Sequence, residues 1–274
     1  MTTSTRFTLK SAPKSQSTPA AKQSTSAAKL SSMRVALVQW TACMGAVTAE
    51  ALACSQSTTL VSARARLQAA ERAGLLSRRR PLAERPALYT LTRAGMRMSG
   101  LRGLDPCRVS AANAQHMIVC VAVAASLESC YPNHRVLGEC ELRRDERELG
   151  APLASARVGI GLHGTPLLHR PDLVLWPDES EVGLPVAVEV ELTIKAPRRL
   201  ADICLAWARN RAVAGVLYIA PADVERALKR AVDRANAHER IVVVGLDALP
   251  WPSDVVGGTI DGSSEPESTV PSDA

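Results

Sequence analysis

Three acidic residues interrupt apolar segments in the second half of the chain, where carboxylates are unusual. Asp172 lies in the run LHRPDLVLW, and Glu189 and Glu191 lie in VAVEVELTI. Asp and Glu are rarely buried unless they are paired or bound to a metal ion. Residues 189 and 191 have the same parity along a strand, so both side chains are expected on one face of a sheet. If Asp172 faces them from the adjacent strand, the three carboxylates form an oxygen-rich site.

Such a site predicts a bound Mg²⁺ or Mn²⁺ ion. Both ions take oxygen ligands and can activate water for attack on a phosphodiester. Lys195 follows Glu191 by four residues and so has the same parity along the strand. If the chain stays extended, these four residues span ~13 Å. The Lys195 amine therefore reaches the metal only if the chain curls back before Pro197. No organic cofactor is expected.

The same residues can also be explained without a metal ion. Glu191 can pair with Arg198 or Arg199 at the start of the following helix, because a carboxylate at a strand end often meets the next basic residue. Arg170 can hold Asp172 in a bidentate contact or bind a phosphate. The carboxylates alone do not decide between these alternatives.

Periodicity indicates which elements position these residues. Residues 114–128 are apolar at helical spacing and predict a buried helix, whereas HRVLGECELR, LHRPDLVLW and VAVEVELTI predict strands. Glu139 and Glu141 would then lie on the solvent face of the first of these strands. Pro197 suits the first turn of a helix, which is followed by a strand, a helix and a last strand. The predicted order α, β, β, β, α, β, α, β indicates an α/β sandwich over residues 111–250.

The segment 33–110 has a different pattern, predicting helix, helix, helix, hairpin, helix. Apolar residues recur at helical spacing between Thr58 and Ala73, and Gly74 suits the C′ position of that helix. Thr48 and Thr92 are suited to cap the helices that follow them. LLSRRR and ALYTLT predict two short strands joined by the loop PLAERP. This order resembles a winged helix-turn-helix.

Charge is distributed unevenly between the two halves. The chain has 274 residues and a net charge of +6, but residues 1–110 contain 17 basic and 4 acidic residues. This excess of +13 predicts that the first half binds a polyanion, most often nucleic acid. The residues expected to contact double-stranded DNA are polar positions of the third helix and the hairpin arginines, namely Thr58, Thr59, Ser62, Arg66, Arg78, Arg79, Arg80 and Arg85. The alternative is a protein-binding winged helix with a merely solvated hairpin.

The two ends, the cysteines and the apolar runs indicate which parts of the chain are disordered and where the protein is located. Residues 1–32 are a basic segment rich in Ser, Thr and Ala, and residues 251–274 are acidic, so both are predicted to be disordered tails. Seven cysteines without a CxxC pair argue against a disulfide framework and favour a reducing, cytoplasmic location. The spacing of Cys130, His134 and Cys140 lacks the second pair of a zinc site. The longest apolar run covers about half of the ~20 residues that cross a bilayer, so no membrane is expected.

The acidic motif resembles the PD-(D/E)xK nuclease superfamily. Pro171 and Asp172 are followed by 16 residues and then Glu189 on a strand, with Lys195 nearby. The resemblance implies that Asp172 and Glu189 hold the metal and that Lys195 orients the attacking water or contacts phosphate. The pattern departs from the family at position 191, where Glu191 replaces the usual lysine. Glu191 would assist the metal or occupy the lysine site, or the fold would have lost its activity.

Residues 33–245, nearly all of the ordered chain, resemble a narrower family, the replication-relaxation proteins of bacterial plasmids and mobile elements. The similarity rests on the front helices and hairpin, a helix near Gln115 and His116, and the runs RPDLVLW, VEVELTIKAPRRL and VLYIA. It implies a DNA-binding protein that acts in DNA replication, relaxation or transfer. From the PD-(D/E)xK resemblance, the C-terminal domain is expected to be a metal-dependent endonuclease or nickase if it is active. The alternative is a non-enzymatic winged-helix regulator whose C-terminal domain forms a homodimer or binds a partner.

Overall fold

The computed structural model describes residues 19–178 and 183–249. Its helices are α1 (Pro19–Met44), α2 (Ala49–Ser55), α3 (Leu60–Arg72), α4 (Arg93–Ser99), α5 (Ala111–Cys130), α6 (Glu139–Leu149), α7 (Pro197–Arg209) and α8 (Ala222–Ala235). Its strands are β1 (Ala46–Val47), β2 (Leu76–Arg79), β3 (Leu88–Leu91), β4 (His134–Gly138), β5 (Ala156–Ile160), β6 (Pro166–His169), β7 (Leu173–Pro177), β8 (Val186–Val190), β9 (Gly215–Ala220) and β10 (Ile241–Gly245). The prediction of a mixed α/β fold is confirmed.

The N-terminal elements follow the predicted order of helices and hairpin. Thr48, Thr59 and Thr92 cap α2, α3 and α4, and each hydroxyl accepts a hydrogen bond from the backbone N–H three residues later. Helix α3 buries a stripe made of Ala63, Leu67 and Ala70. The β2–β3 hairpin gains a third, unpredicted strand, because β1 pairs antiparallel with β3.

A five-stranded sheet forms the centre of the C-terminal region. Its strand order is β10-β9-β8-β7-β4, in which β8, β9 and β10 are parallel and β7 is antiparallel to both neighbours. Helices α7 and α8 cover one face, where Trp207 and Leu228 are fully buried with strand residues such as Tyr218. Helix α5 covers the other face through Val123 and Leu127. The region is therefore a three-layer α/β/α arrangement.

Helix α5 belongs to the cores of both regions. Val119 and Val123 pack against the five-stranded sheet, whereas Val121 and Ala125 pack against α1, α2 and α3. By length and composition α5 is also apolar enough to span a membrane, but 56% of its most apolar 18-residue window is buried in the protein. Its apolar character is accounted for by two packed faces, so the predicted boundary between residues 110 and 111 does not separate two independent cores.

One predicted strand is partly a helix. HRVLGECELR was expected to be extended throughout, with Glu139 and Glu141 on a solvent face, but β4 ends at Gly138 and α6 begins at Glu139. Glu141 is fully buried and pairs with Arg135, and Glu139 pairs with Arg143 one turn later on the helix. The alternation is only a few residues long, and the following Glu- and Arg-rich segment has high helix propensity.

Two of the three acidic residues lie just outside the strands in which they were predicted. The segment LHRPDLVLW was predicted as one strand, but Pro171 interrupts it. Strand β6 therefore stops at His169 and β7 starts at Leu173, and Asp172 occupies the bend between them. Strand β8 ends at Val190, which leaves Glu191 just beyond it. The β5–β6 hairpin was not predicted. Asp172 and Glu191 therefore lie just outside the strands, whereas Glu189 lies inside β8.

The predicted N-terminal tail is partly helical. Helix α1 begins at Pro19 and so extends into the segment 1–32 that was predicted as a disordered tail. Alanine, lysine and glutamine favour helix, and proline is tolerated in the first turn. Residues 1–18 and the predicted acidic tail, 251–274, lie outside the described residues.

Candidate functional site

Asp172 links α5 to the end of β8. Its Oδ1 atom lies 2.9 Å from Nε2 of His116, and its Oδ2 atom accepts a hydrogen bond of 2.8 Å from the backbone N–H of Val190. The register that pairs Leu173 with Val188 would place Asp172 opposite Glu189. The bend before β7 instead turns the Asp172 carboxylate toward α5.

Glu189 is buried and makes its closest charged contact on a different strand. Its Oε1 atom lies 2.7 Å from Nε2 of His169, as an ion pair without the alignment of a hydrogen bond. The His169 ring also meets the edge of Trp207 at a centroid distance of 5.9 Å. Burial raises the pKa of Glu189, although the contact with His169 opposes this shift. Burial disfavours the charged form of His169, yet Glu189 outweighs it and the pKa of His169 is raised.

Glu191 and Lys195 form an ion pair just after β8. The chain therefore curls back before Pro197, which is the condition that the sequence set for Lys195 to approach the carboxylates. The positive charge of Lys195 acts on the pKa values of His116, His169 and Glu189. The predicted catalytic residues Asp172, Glu189, Glu191 and Lys195 are thus in one neighbourhood, although each acidic residue has its own basic partner.

The expected alternative partners are not the ones observed. Glu191 pairs with Lys195, while Arg198 and Arg199 are exposed at the start of α7. The Arg170 Nε atom donates to Oε2 of Glu146 at 3.0 Å instead of contacting Asp172. The other Glu146 oxygen accepts hydrogen bonds from the backbone N–H groups of Leu153 and Ser155. Glu146 in α6 therefore fixes the segment that leads into β5.

The described residues bring three different metal-binding groups together. A nitrogen of His116, the sulfur of Cys120 and a carboxylate oxygen of Asp172 all lie within 4.8 Å of one another. Across the described part of the chain, no set of three that includes Glu189 or Glu191 meets this criterion. The expected convergence of three carboxylates is therefore wrong in its geometry, and Mg²⁺ or Mn²⁺ at Asp172 and Glu189 stays a prediction.

His116 and Cys120 were not selected from the sequence as ligands. They are four residues apart on a helix that the sequence did predict, which places them on one face. The hydrogen bond to Asp172 raises the pKa of His116 against the effect of burial, and burial raises the pKa of the Cys120 thiol well above its usual value. The i, i+4 spacing was the available signal, but only the tertiary contact with Asp172 completes the group.

A second site lies between α3 and the β2–β3 hairpin. It is an open groove of about 670 Å³. Charged and polar side chains dominate its lining, and they are Glu50, Arg64, Gln68, Arg78, Arg80, Glu84, Arg85 and Tyr89. Four of these residues are arginines and two are glutamates. The Arg64 guanidinium lies 3.2 Å from the Glu50 carboxylate, which leaves the hairpin arginines as the main unpaired cations of the groove.

The predicted DNA-contacting residues divide between the groove and its surroundings. Arg78, Arg80 and Arg85 line the groove, whereas Arg79 is exposed beside it. Thr58 and Ser62 are partly buried, the Thr59 hydroxyl caps α3, and Arg66 pairs with Gln56. The exposed stripe of α3 is rotated from the predicted one, and it consists of Val61, Arg64, Ala65, Gln68 and Arg72.

Comparison with known proteins does not identify a family for this chain. No family model, curated protein or solved structure matches the chain significantly. The resemblance to replication-relaxation proteins and to PD-(D/E)xK nucleases therefore stays a prediction from the residues themselves.

Proposed function

We propose that this protein binds double-stranded DNA through a winged helix made of α2, α3, α4 and the β2–β3 hairpin. The observation that carries the proposal is the groove beside α3, in which Arg78, Arg80 and Arg85 face the exposed stripe of that helix. A helix that enters the major groove presents polar and basic side chains while its apolar stripe holds it to the protein. The buried stripe of α3 and its exposed residues Arg64 and Gln68 fulfil these two roles.

The charges of the groove suit a phosphate backbone. Its four arginines exceed its two glutamates, and Arg64 is already paired with Glu50. We expect the arginines of the hairpin to contact phosphates, and the exposed α3 residues Arg64 and Gln68 to contact base edges. With the resemblance of RPDLVLW and VEVELTIKAPRRL to replication-relaxation proteins, this supports a role in the replication, relaxation or transfer of mobile DNA.

The test compares two triple variants of the full chain in a DNA-binding titration. We expect Arg78→Ala, Arg80→Ala and Arg85→Ala together to weaken binding to duplex DNA. The logarithmic slope of affinity against salt should fall by about 0.9 for each phosphate that the variant no longer neutralises. The matched control changes the same number of exposed arginines on α8, Arg226, Arg230 and Arg234.

Equal affinity and equal slope for the two triple variants would overturn the proposal. Failure of both variants to bind would show that net charge alone matters and would also count against a specific groove. A further substitution, Gln68→Ala, should change the preference between DNA sequences more than the total affinity, because Gln68 is placed to contact bases.

A metal-dependent nuclease is a second candidate function. The observation that favours it is the return of Lys195 to Glu191 beside Asp172 and Glu189, which assembles the residue types of the PD-(D/E)xK motif in one neighbourhood. Asp172 and Glu189 would hold Mg²⁺, which supplies activated water for phosphodiester cleavage. Lys195 would orient the water or contact the phosphate.

Nicking of supercoiled DNA with Mg²⁺ or Mn²⁺ tests this candidate. We expect Asp172→Asn and Glu189→Gln to abolish nicking, while the exposed control Asp223→Asn leaves it unchanged. Binding of duplex DNA without any cleavage by the wild-type protein would favour the non-enzymatic regulator instead.

A further inference from the structure

The side chains of His116, Cys120 and Asp172 bring a nitrogen, a sulfur and an oxygen atom close together. The Nε2 atom of His116 lies 2.9 Å from Oδ1 of Asp172 and 3.3 Å from Sγ of Cys120. Two of the three residues come from successive turns of α5, and the third comes from the bend that precedes β7. Sheet packing against α5 thus brings the three side chains together from distant parts of the sequence.

The distances fit a tetrahedral transition-metal centre. Zinc bonds to nitrogen and oxygen at about 2.0–2.2 Å and to sulfur at about 2.3 Å, so neighbouring ligand atoms in a tetrahedron are about 3.3–3.6 Å apart. The separation of 2.9 Å between His116 and Asp172 is about 0.4 Å below this range, and that of 3.3 Å between His116 and Cys120 lies at its lower edge. The third pair, Cys120 and Asp172, lies within 4.8 Å.

The donor atoms favour zinc over magnesium. A thiolate and an imidazole are soft or intermediate ligands that bind zinc well, whereas magnesium demands oxygen ligands in an octahedron. Here one carboxylate oxygen is accompanied by one nitrogen and one sulfur. The composition therefore differs from the all-oxygen set that the carboxylate motif predicts for a nuclease.

Neighbouring residues orient the Asp172 carboxylate and leave a cavity next to the three ligands. The backbone N–H of Val190 holds the second oxygen of Asp172 at 2.8 Å, which fixes the carboxylate with its other oxygen toward His116. A cavity of about 90 Å³ adjoins the three ligands and is also lined by Glu139. The His116 side chain is 40% exposed, so an ion can enter from solvent.

We propose that His116, Cys120 and Asp172 bind one zinc ion, with the fourth position directed into the cavity beside Glu139. Three protein ligands and one open position are the arrangement of catalytic zinc sites, while structural zinc sites are closed by four protein ligands. Water occupies the fourth position. This inference does not depend on DNA binding, because the ligands lie outside the groove beside α3.

Cobalt binding to the metal-free full-length protein tests the site. Co²⁺ replaces zinc in tetrahedral centres, and a thiolate ligand gives it a charge-transfer band in the near ultraviolet. We expect one equivalent of Co²⁺ to produce this band together with tetrahedral visible bands, and one equivalent of Zn²⁺ to remove both. An excess of Mg²⁺ should leave them unchanged.

Three variants and one control assign the ligands. Cys120→Ser should abolish the charge-transfer band, and His116→Ala and Asp172→Asn should each weaken Co²⁺ binding at least tenfold. The control Cys130→Ser removes an exposed thiol from the end of the same helix and should change nothing. Circular dichroism of each metal-free variant checks that the protein is folded.

Two results would overturn the proposal. One is Co²⁺ binding by the wild-type protein without a thiolate band, and the other is a thiolate band that survives Cys120→Ser or disappears in Cys130→Ser. Because these measurements use no DNA, a protein that fails to bind DNA can still pass them. A protein that binds DNA through the groove can likewise fail them.

Discussion

The groove beside α3 and the polar centre beside α5 use charged side chains in opposite ways. The polar centre consists of the ion pairs His116–Asp172, His169–Glu189 and Lys195–Glu191. In the groove, Arg78 and Arg80 are exposed, and no carboxylate in the described part of the chain pairs with them. Around Asp172, each acidic residue is largely buried and has a partner inside the protein. Exposed cations cost little and can meet an external anion, whereas buried charges persist only when they are compensated. The first region thus leaves its cations available to an external anion, whereas the second compensates its charges within the protein.

Among substitutions that remove one partner of a buried ion pair, Glu146→Ala is expected to lower the free energy of unfolding most. Glu146→Ala removes the acceptor for Arg170 and for two backbone N–H groups, so we expect the free energy of unfolding to fall by roughly 3 kcal/mol or more. Urea denaturation measures the change. The control Glu148→Ala alters an exposed glutamate two residues away on α6 and should change stability by less than about 0.5 kcal/mol. Similar decreases for both variants would contradict the role given to Glu146.

A smaller but clear decrease in stability is expected at His169. His169→Ala leaves the buried Glu189 carboxylate without its cation, at a cost of about 2–3 kcal/mol in unfolding free energy. Adding Glu189→Gln to this variant removes the uncompensated charge and should restore part of the stability. A double variant no more stable than His169→Ala would show that the two residues are not coupled.

Glu128 gives a pH-dependent test of the contact between the two regions. It accepts hydrogen bonds from Nε1 of Trp40 at 2.9 Å and from the Ser55 hydroxyl, so α5 is joined to α1 and α2. Burial raises the pKa of Glu128 above its ordinary value of 4.5 despite these hydrogen bonds. A raised pKa stabilises the fold below about pH 4.5, and this contribution is lost as the pH rises through the folded-state value.

We therefore expect Glu128→Gln to gain stability relative to the wild type as the pH rises from about 4.5 toward neutrality. Urea denaturation of both proteins at a series of pH values measures the difference. The exposed Glu148→Gln serves as a control with a flat difference. A difference that moves in the opposite direction would show that the hydrogen bonds from Trp40 and Ser55 outweigh burial.

The smallest expected effect on stability is in the groove. Arg78→Ala and Arg80→Ala should each change the free energy of unfolding by less than about 0.5 kcal/mol, because both side chains are exposed. Urea denaturation without DNA measures this, and it separates weaker DNA binding from weaker folding. Marked destabilisation by either variant would mean that the hairpin arginines are structural.

The sequence predicted the parts of the fold that depend on local signals. Thr48 and Thr92 cap helices where the pattern indicated, and Pro197 begins α7 as expected. Helix α6 was missed because a short alternation around Cys140 resembled a strand, while the helix propensity lay in the residues that followed. Local patterns were therefore reliable where a cap or a proline marked the boundary.

The candidate sites depend on tertiary contacts and were predicted less completely. Asp172 and Glu189 were found because acidic residues in apolar runs are rare, but their directions depend on the bend at Pro171 and on the packing of α5. His116 and Cys120 become ligands only through contact with a residue more than 50 positions away. Residue types and parity can be read from the sequence, whereas the rotation of a helix against a sheet cannot.

The sharing of α5 has a thermodynamic consequence. Because Val121 and Ala125 complete one core while Val119 and Val123 complete the other, neither region can unfold without exposing apolar surface of its neighbour. We therefore expect the two regions to unfold as one cooperative unit, so that a ligand of one stabilises both. DNA held at α3 in hundredfold excess over its Kd would add about 2.7 kcal/mol to the stability of the entire unit. The sheet and its His116, Cys120 and Asp172 centre would thus resist heat and denaturant better whenever the distant groove is occupied.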